Sequence, residues 1–221
     1  MGEKFYIFAL MFELIIDEKK YGKSVILKDV HIQLSQNGMY GFFGKNGQGK
    51  TTLFHCILGF TGFQGRVLFE NQKLKSLDVA WIPTEPDLYE YLTIKEFMDF
   101  YAVNCGKKQA DLDASLFDLD TSKLIKECST GMKKKTYINA VLQIDDYKIY
   151  VFDEPFNGLD IEANYLLLRH LQKLAQTHIV LVSSHIIEII LPYLNHCYFI
   201  DNAKVTKYAN EDLLKNFSVN D

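Results

Sequence analysis

Eight consecutive residues, Gly44-Lys45-Asn46-Gly47-Gln48-Gly49-Lys50-Thr51, constrain this chain more than any other stretch, because they fit the spacing G-x-x-x-x-G-K-[ST] in a matching context. Before them, residues 39–43 are a short apolar run that reads as a buried strand. After them, residues 51–58 read as a helix with Leu53, Phe54, Ile57 and Leu58 on one side. A strand, a glycine-rich loop and a helix in that order make an anion cradle. The glycines allow a tight backbone path, so that successive N–H groups and the helix N-terminus converge on phosphate oxygens. Lys50 adds a point charge for the β and γ groups, and the Thr51 hydroxyl is placed for Mg²⁺. A nucleoside triphosphate is therefore expected at Gly44, Lys45, Asn46, Gly47, Gln48, Gly49, Lys50, Thr51 and the adjacent Thr52.

With 221 residues the chain is long enough for one large domain with an inserted lobe. An apolar fraction of 48% beside 24% charged residues is ordinary for a soluble protein, and a net charge of −4 supplies no bulk attraction for nucleic acid or anionic lipid. Cys56, Cys105, Cys128 and Cys197 are scattered without a C-x-x-C pair, which argues against a zinc site or disulfide scaffold and suits a reducing cytoplasm. The apolar stretch 5–12 is too short to span a bilayer and lacks a cleavage site, so it reads as strand, although that strand can equally begin at Met11. Tyr6 stands where a myristoylation signal needs Ser or Thr.

Short strands are expected at 12–16, 30–34, 39–43, 67–69 and 80–82, separated by glycine turns and closed by Pro83. The pattern then turns helical. Thr93 followed by Glu96 is a capping box for a helix over 94–103; a two-turn helix is expected at 110–117 and a longer one at 131–142. Strand and helix then alternate: strand 149–152, helix 161–175, strand 179–183, helix 186–191 and strand 198–200, with one small helix in the tail 210–221. Such alternation implies a mostly parallel sheet with helices on its faces. The expected division is a core of about 1–85 and 146–221 with a helical lobe at about 86–145.

A second chemical centre lies at Asp153-Glu154, where the apolar run 149–152 ends in two acids. Ligands of open α/β sheets bind beyond the carboxyl ends of the strands, which is where the glycine-rich loop also sits. Asp153 is therefore placed to hold Mg²⁺ through its water shell, and Glu154 to orient or deprotonate an attacking water.

With both centres in view, the chain resembles the nucleotide-binding domain of ATP-binding cassette (ABC) ATPases, most of all those driving exporters, over about residues 12–207. Residues 153–160, Asp-Glu-Pro-Phe-Asn-Gly-Leu-Asp, match the family's stretch from Walker B to D-loop. The resemblance implies a P-loop NTPase fold with an antiparallel β subdomain and an inserted helical subdomain. It makes Asp160 an acid that reaches across a dimer, and it aligns Cys128-Ser129-Thr130-Gly131-Met132 with the signature motif. Ser129 and Gly131 keep the family residues, and Thr130 and Met132 depart from them. A serine-capped helix N-terminus is an anion site, and in the family it meets the γ-phosphate held by the opposite subunit. His185, after the strand 179–183, aligns with the switch histidine, and Tyr21 with the aromatic that stacks on adenine. Thr84 stands where the family has the Q-loop glutamine, a shorter group at a position that touches metal and water.

The resemblance thus implies an Mg²⁺-dependent ATPase with Lys50, Glu154 and His185 as catalytic groups, and with Thr51, Asp153 and Thr84 about the metal. It implies a head-to-tail homodimer with ATP at the interface, and a separate transmembrane permease that docks near residues 84–91 and holds the chain at the cytoplasmic face of the membrane. A mechanical ATPase of the same fold outside transport, or a regulatory nucleotide-binding module, are the competing readings. The first usually carries a coiled-coil insertion, a tandem cassette or a basic face, and none is visible in this length and charge.

Overall fold

The computed structural model describes residues 11–185 and 187–208. Strands β1 (Phe12–Tyr21), β2 (Ser24–Leu34), β4 (Gln64–Phe69) and β5 (Gln72–Lys73) form an antiparallel sheet in the order β2-β1-β4-β5. A second sheet, in the order β10-β9-β3-β8-β7-β6, contains β3 (Gly38–Phe43), β6 (Val79–Ile82), β7 (Ile149–Phe152), β8 (Ile179–Ser183), β9 (His196–Asp201) and β10 (Lys204–Tyr208). Its strands β6, β7, β8, β3 and β9 run parallel, and β10 closes the edge antiparallel to β9.

The parallel strands are apolar on both faces because both faces are covered. Along β3, Tyr40 and Phe42 pack with α1 (Lys50–Leu58) and with Phe12, Leu14 and Ile16 of β1, while Met39 and Phe43 join the opposite layer with Leu167 and Leu171 of α4 (Ile161–Leu174). β7 and β8 divide in the same way, Val151 and Leu181 to one layer, Phe152 and Val182 to the other. Helix α1 is thereby held between the two sheets, which fixes the direction of its N-terminus.

The inserted lobe is built on α2 (Ile94–Asn104) and α3 (Thr130–Leu142), around a small core with Ile94, Phe97, Met98, Ile125 and Ala140. The expected capping box is present: Thr93 Oγ1 accepts from Glu96 N at 3.2 Å, and Glu96 Oε2 accepts from Thr93 N at 2.7 Å.

Residues 110–117 form no helix, contrary to the sequence expectation. Side chains of α2 and of the end of α3 hold the backbone at both ends of this segment instead. Ala110 N donates to Asp99 Oδ1 at 2.8 Å, Asp111 N to Gln143 Oε1 at 3.0 Å, and Asn139 brackets Phe117 through both its N–H and its carbonyl. The helix expected over 186–191 is shorter, α5 (Ile187–Ile190), because Pro192 starts a 3₁₀ turn, Leu191–Tyr193. Strands β1, β2 and β4 are longer than their apolar cores, since hairpin pairing carries them through polar residues as far as Tyr21 and Ser24. The expectations for residues 5–10, Ile186 and the tail 210–221 lie outside the described residues.

Candidate functional site

Four parallel strands deliver the site from one edge of the sheet. β3 runs into the glycine-rich loop, β6 into Pro83-Thr84, β7 into Asp153-Glu154, and β8 into Ser184-His185. In the loop, a Cβ at Gly44 would meet Ile200 O at 2.4 Å, and Gly49 caps α1 at φ 108°, a conformation that side chains disfavour. Gly49 offers no side-chain cap, so the N–H groups of the first turn stay open to an anion. Gln48 closes the loop differently: its Oε1 accepts from Asn202 N at 3.1 Å and its N–H donates to Lys45 O at 3.3 Å.

Lys50 is buried and folds back, donating to Gly44 O at 2.7 Å. Burial lowers its pKa, opposed by the charges of Glu154 and Asp153. Asp153 is the hub of a hydrogen-bonded chain: Oδ2 accepts from Thr51 Oγ1 at 2.6 Å, Oδ1 from Ser183 Oγ at 2.6 Å, and Ser183 Oγ in turn accepts from Glu154 N at 2.9 Å. Glu154 holds φ 49°, unusual for a side-chain-bearing residue and typical of a functional turn. Its Oε2 accepts from His185 N at 3.0 Å. Its Oε1 is buried, with His185 Nε2 at 3.0 Å and Lys50 Nζ at 4.0 Å. Burial raises the Glu154 pKa, with His185 and Lys50 pulling it back. A carboxylate held this way at the wall of a ligand space is suited to act as a base.

That space is a cleft of about 380 Å³. Asn46, Gly47, Gly49, Lys50, Thr51 and Thr52 line it from the loop side; Thr84, Asp153, Glu154 and His185 line it from the strand ends, and Tyr21 from the antiparallel sheet. Three further residues that the sequence reading gave no role belong here: Ile26 and Asn157 on the wall, and Ser183 behind it. Ile26 arrives through a bulge. Lys19 pairs with Leu27 and Lys20 with Val25, which leaves Ile26 unpaired and turns this end of the hairpin toward the cleft.

Ser129, Gly131 and Asp160 do not line this cleft. Ser129 caps α3, its hydroxyl accepting from Met132 N at 3.2 Å. Asp160 caps α4 through Ala163 N at 2.8 Å and pairs with Lys135 Nζ at 2.6 Å. The two centres are nevertheless joined within the chain. Lys134 of α3 is 2% exposed and donates to Glu154 O at 2.6 Å and Asn157 O at 3.0 Å. Burial holds its pKa down to about 8. A Cβ at Gly131 would meet Gly158 O at 2.8 Å, so α3 lies directly against the turn that carries Glu154. The run Lys133-Lys134-Lys135 looks solvated in sequence, and nothing local marks its middle member as buried.

The Thr51 hydroxyl and the Asp153 carboxylate share one edge of the cleft as hard oxygen donors, which suits Mg²⁺. Among the described residues no group of three or more His, Cys, Asp or Glu side chains makes a metal site of its own.

A parallel sheet whose glycine-rich loop opens α1, with acids at the end of the next strand but one, defines a P-loop nucleotide-binding fold. Comparison with known proteins narrows this. The sequence profile described as ABC transporter matches residues 27–157, and the chain belongs to that family. It is similar to the bacitracin transport ATP-binding protein BcrA of Bacillus licheniformis, 29% identical over 211 residues, which cover 89% of this chain and 69% of the relative. It is also similar to the lantibiotic transport ATP-binding protein SrtF of Streptococcus pyogenes, 27% identical over 200 residues, covering 85% of this chain and 86% of the relative. The solved ATP-binding subunit of an ABC transporter superposes with a TM-score of 0.79 at 26% identity, covering 95% of this chain and 94% of that one. Among the described residues no helix is long and apolar enough to cross a membrane.

Proposed function

We propose that this chain is the ATP-hydrolysing subunit of an ABC exporter, working as a nucleotide-bridged homodimer on a separate membrane permease. The observation that carries the hydrolytic reading is Glu154. Its carboxylate, with Oε1 3.0 Å from His185 Nε2, lies on the wall of the same cleft as Lys50, Thr51 and Asp153. In this reading Lys50 swings from Gly44 O to the β and γ phosphates, and the open N–H groups of α1 hold the same oxygens. Glu154 orients a water and takes its proton, at a carboxyl that burial has made a better base. His185, 3.0 Å from Glu154 and 43% exposed, keeps that water aligned against the γ-phosphate. Thr51 and Asp153, with Thr84 on the same cleft, would hold Mg²⁺, which would supply neutralisation of phosphate charge. Tyr21 supplies the base platform.

The transport assignment follows the family and the relatives that serve bacitracin and lantibiotic transport. The permease surface is assigned to the segment 84–91, which begins at cleft-lining Thr84 and carries Tyr89 and the 82% exposed Tyr91. Docking there places the subunit at the cytoplasmic face of the membrane. Ser129, Gly131 and Asp160 are assigned to the second subunit's nucleotide.

The test is phosphate release with ATP and Mg²⁺. Glu154→Gln is expected to lower turnover by about two orders of magnitude while nucleotide still binds, the scale of losing a general base. Unchanged turnover in that variant would remove Glu154 from the mechanism, and an inactive wild type that binds ATP would favour a regulatory module.

A further inference from the structure

Lys19 is a buried ammonium that the mechanism above does not use. It is 4% exposed, and among the described residues it makes no ion pair with a carboxylate. Its Nζ instead donates to Thr61 Oγ1 and, at 2.8 Å, to Gly62 O, both in the loop that follows α1. The same nitrogen lies 4.1 Å from the centroid of the Tyr21 ring. Removing a lysine charge from water without an acid partner is unfavourable, so its remaining contacts must recover the loss. Two are neutral oxygens and the third is the ring face.

The placement has a geometric and an electronic consequence. Tyr21 is 50% exposed at the end of β1, next to a hairpin turn and a bulge, where little else fixes a ring. The ammonium ties it to the loop after the C-terminus of α1, the helix whose N-terminus forms the phosphate cradle, so the ring and the cradle keep a set separation. A cation on one face also draws π density from the ring, which makes the opposite face a better partner for an electron-rich purine.

We propose that Lys19 is a positioning residue for the nucleotide base: it holds and polarises the Tyr21 ring so that its other face accepts adenine. The proposal rests on the reading of Tyr21 as the base platform. The experiment is calorimetric titration of the full chain with two ligands, ADP and pyrophosphate, which share phosphate chemistry and differ in the base, together with the steady-state KM and kcat for ATP.

Lys19→Met is expected to weaken ADP about fivefold, the scale of a cation–π contact to an exposed ring, and to leave pyrophosphate unchanged. KM for ATP should rise by the same factor at constant kcat, and Lys19→Arg should recover ADP affinity to within about twofold. Equal loss of ADP and pyrophosphate in Lys19→Met, or no loss of either, would overturn the proposal, as would failure of Lys19→Arg to recover binding. Tyr21→Ala separates this failure from that of the underlying reading. If Tyr21→Ala binds ADP normally, the base platform itself is wrong; if it weakens ADP while Lys19→Met does not, only the role of Lys19 falls.

Discussion

Two helices of this chain begin at turns suited to an anion, α1 at Gly49 and α3 at Ser129, and they offer their first N–H groups on different terms. Gly49 has no side chain to cap with, so α1 opens into a cleft shared with Lys50, Asp153 and Glu154. Ser129 satisfies Met132 N with its own hydroxyl, and that helix start lies outside the cleft. The first leaves its N–H groups free for an anion. The second is stable without one, and a ligand must compete with a 3.2 Å hydrogen bond for the same donors. In the proposed dimer this difference would be the physical content of a composite site: one helix end would supply affinity within the chain, and the other would become useful only when a second chain brought nucleotide to it. Lys134 and Gly131 hold that second helix against the Glu154 turn, so in the proposed mechanism an event at Ser129 would reach Glu154 through direct packing.

The comparison breaks most visibly at α1. Lys50→Ala should weaken ATP about a hundredfold or more, because the cleft loses the mobile positive charge of its lysine; this corresponds to about 3 kcal/mol for a charge-assisted bond. Calorimetry with ATP checks it, and near-normal affinity would mean that phosphate binds elsewhere.

A smaller effect is expected where α3 meets the Glu154 turn. The Lys134 pKa falls from 10.5 when unfolded to about 8 when folded. Between those values the unfolded chain binds more protons, so this group makes stability rise with pH from about 8 to about 10.5, and below about 8 its full cost is present. Urea unfolding at pH 8 and pH 10 should show that rise in wild type and lose this component in Lys134→Met. An identical pH dependence in the two proteins would place the ammonium in water.

The smallest effect belongs to the cap. Ser129→Ala should cost about 1 kcal/mol of stability, the usual value of an N-cap, with ADP affinity of the single chain unchanged. A drop in that affinity would join Ser129 to the first site and erase the distinction between the two helix ends.

Chemistry carried by contiguous residues was legible in the sequence. The loop Gly44–Thr51, the acids after 149–152, and the Thr93-Glu96 capping box are local patterns, and the structure brings the first two to one cleft. What escaped depends on distant partners. Residues 110–117 are turned out of a helix by Asp99, Asn139 and Gln143, which reach them from other elements. Lys134 is buried only because the Glu154–Asn157 turn closes over it, Ser183 matters through Asp153, and the Ile26 bulge exists only in the pairing of β1 with β2. Strand β10 passed unnoticed because it is short, polar and stabilised by its antiparallel partner β9.

The central claim, that α1 is a whole site and α3 half of another, is tested most directly by the mass of the protein in solution with nucleotide. In Glu154→Gln, where hydrolysis cannot reset the state, light scattering should show monomer with ADP and dimer with ATP, since ATP bound at Lys50 gains its second set of donors from Ser129 and Gly131 of another chain. Adding Ser129→Arg should abolish the dimer and leave ATP binding by the monomer intact. A dimer of equal population with ATP, with ADP and without nucleotide, or one indifferent to Ser129→Arg, would contradict the account.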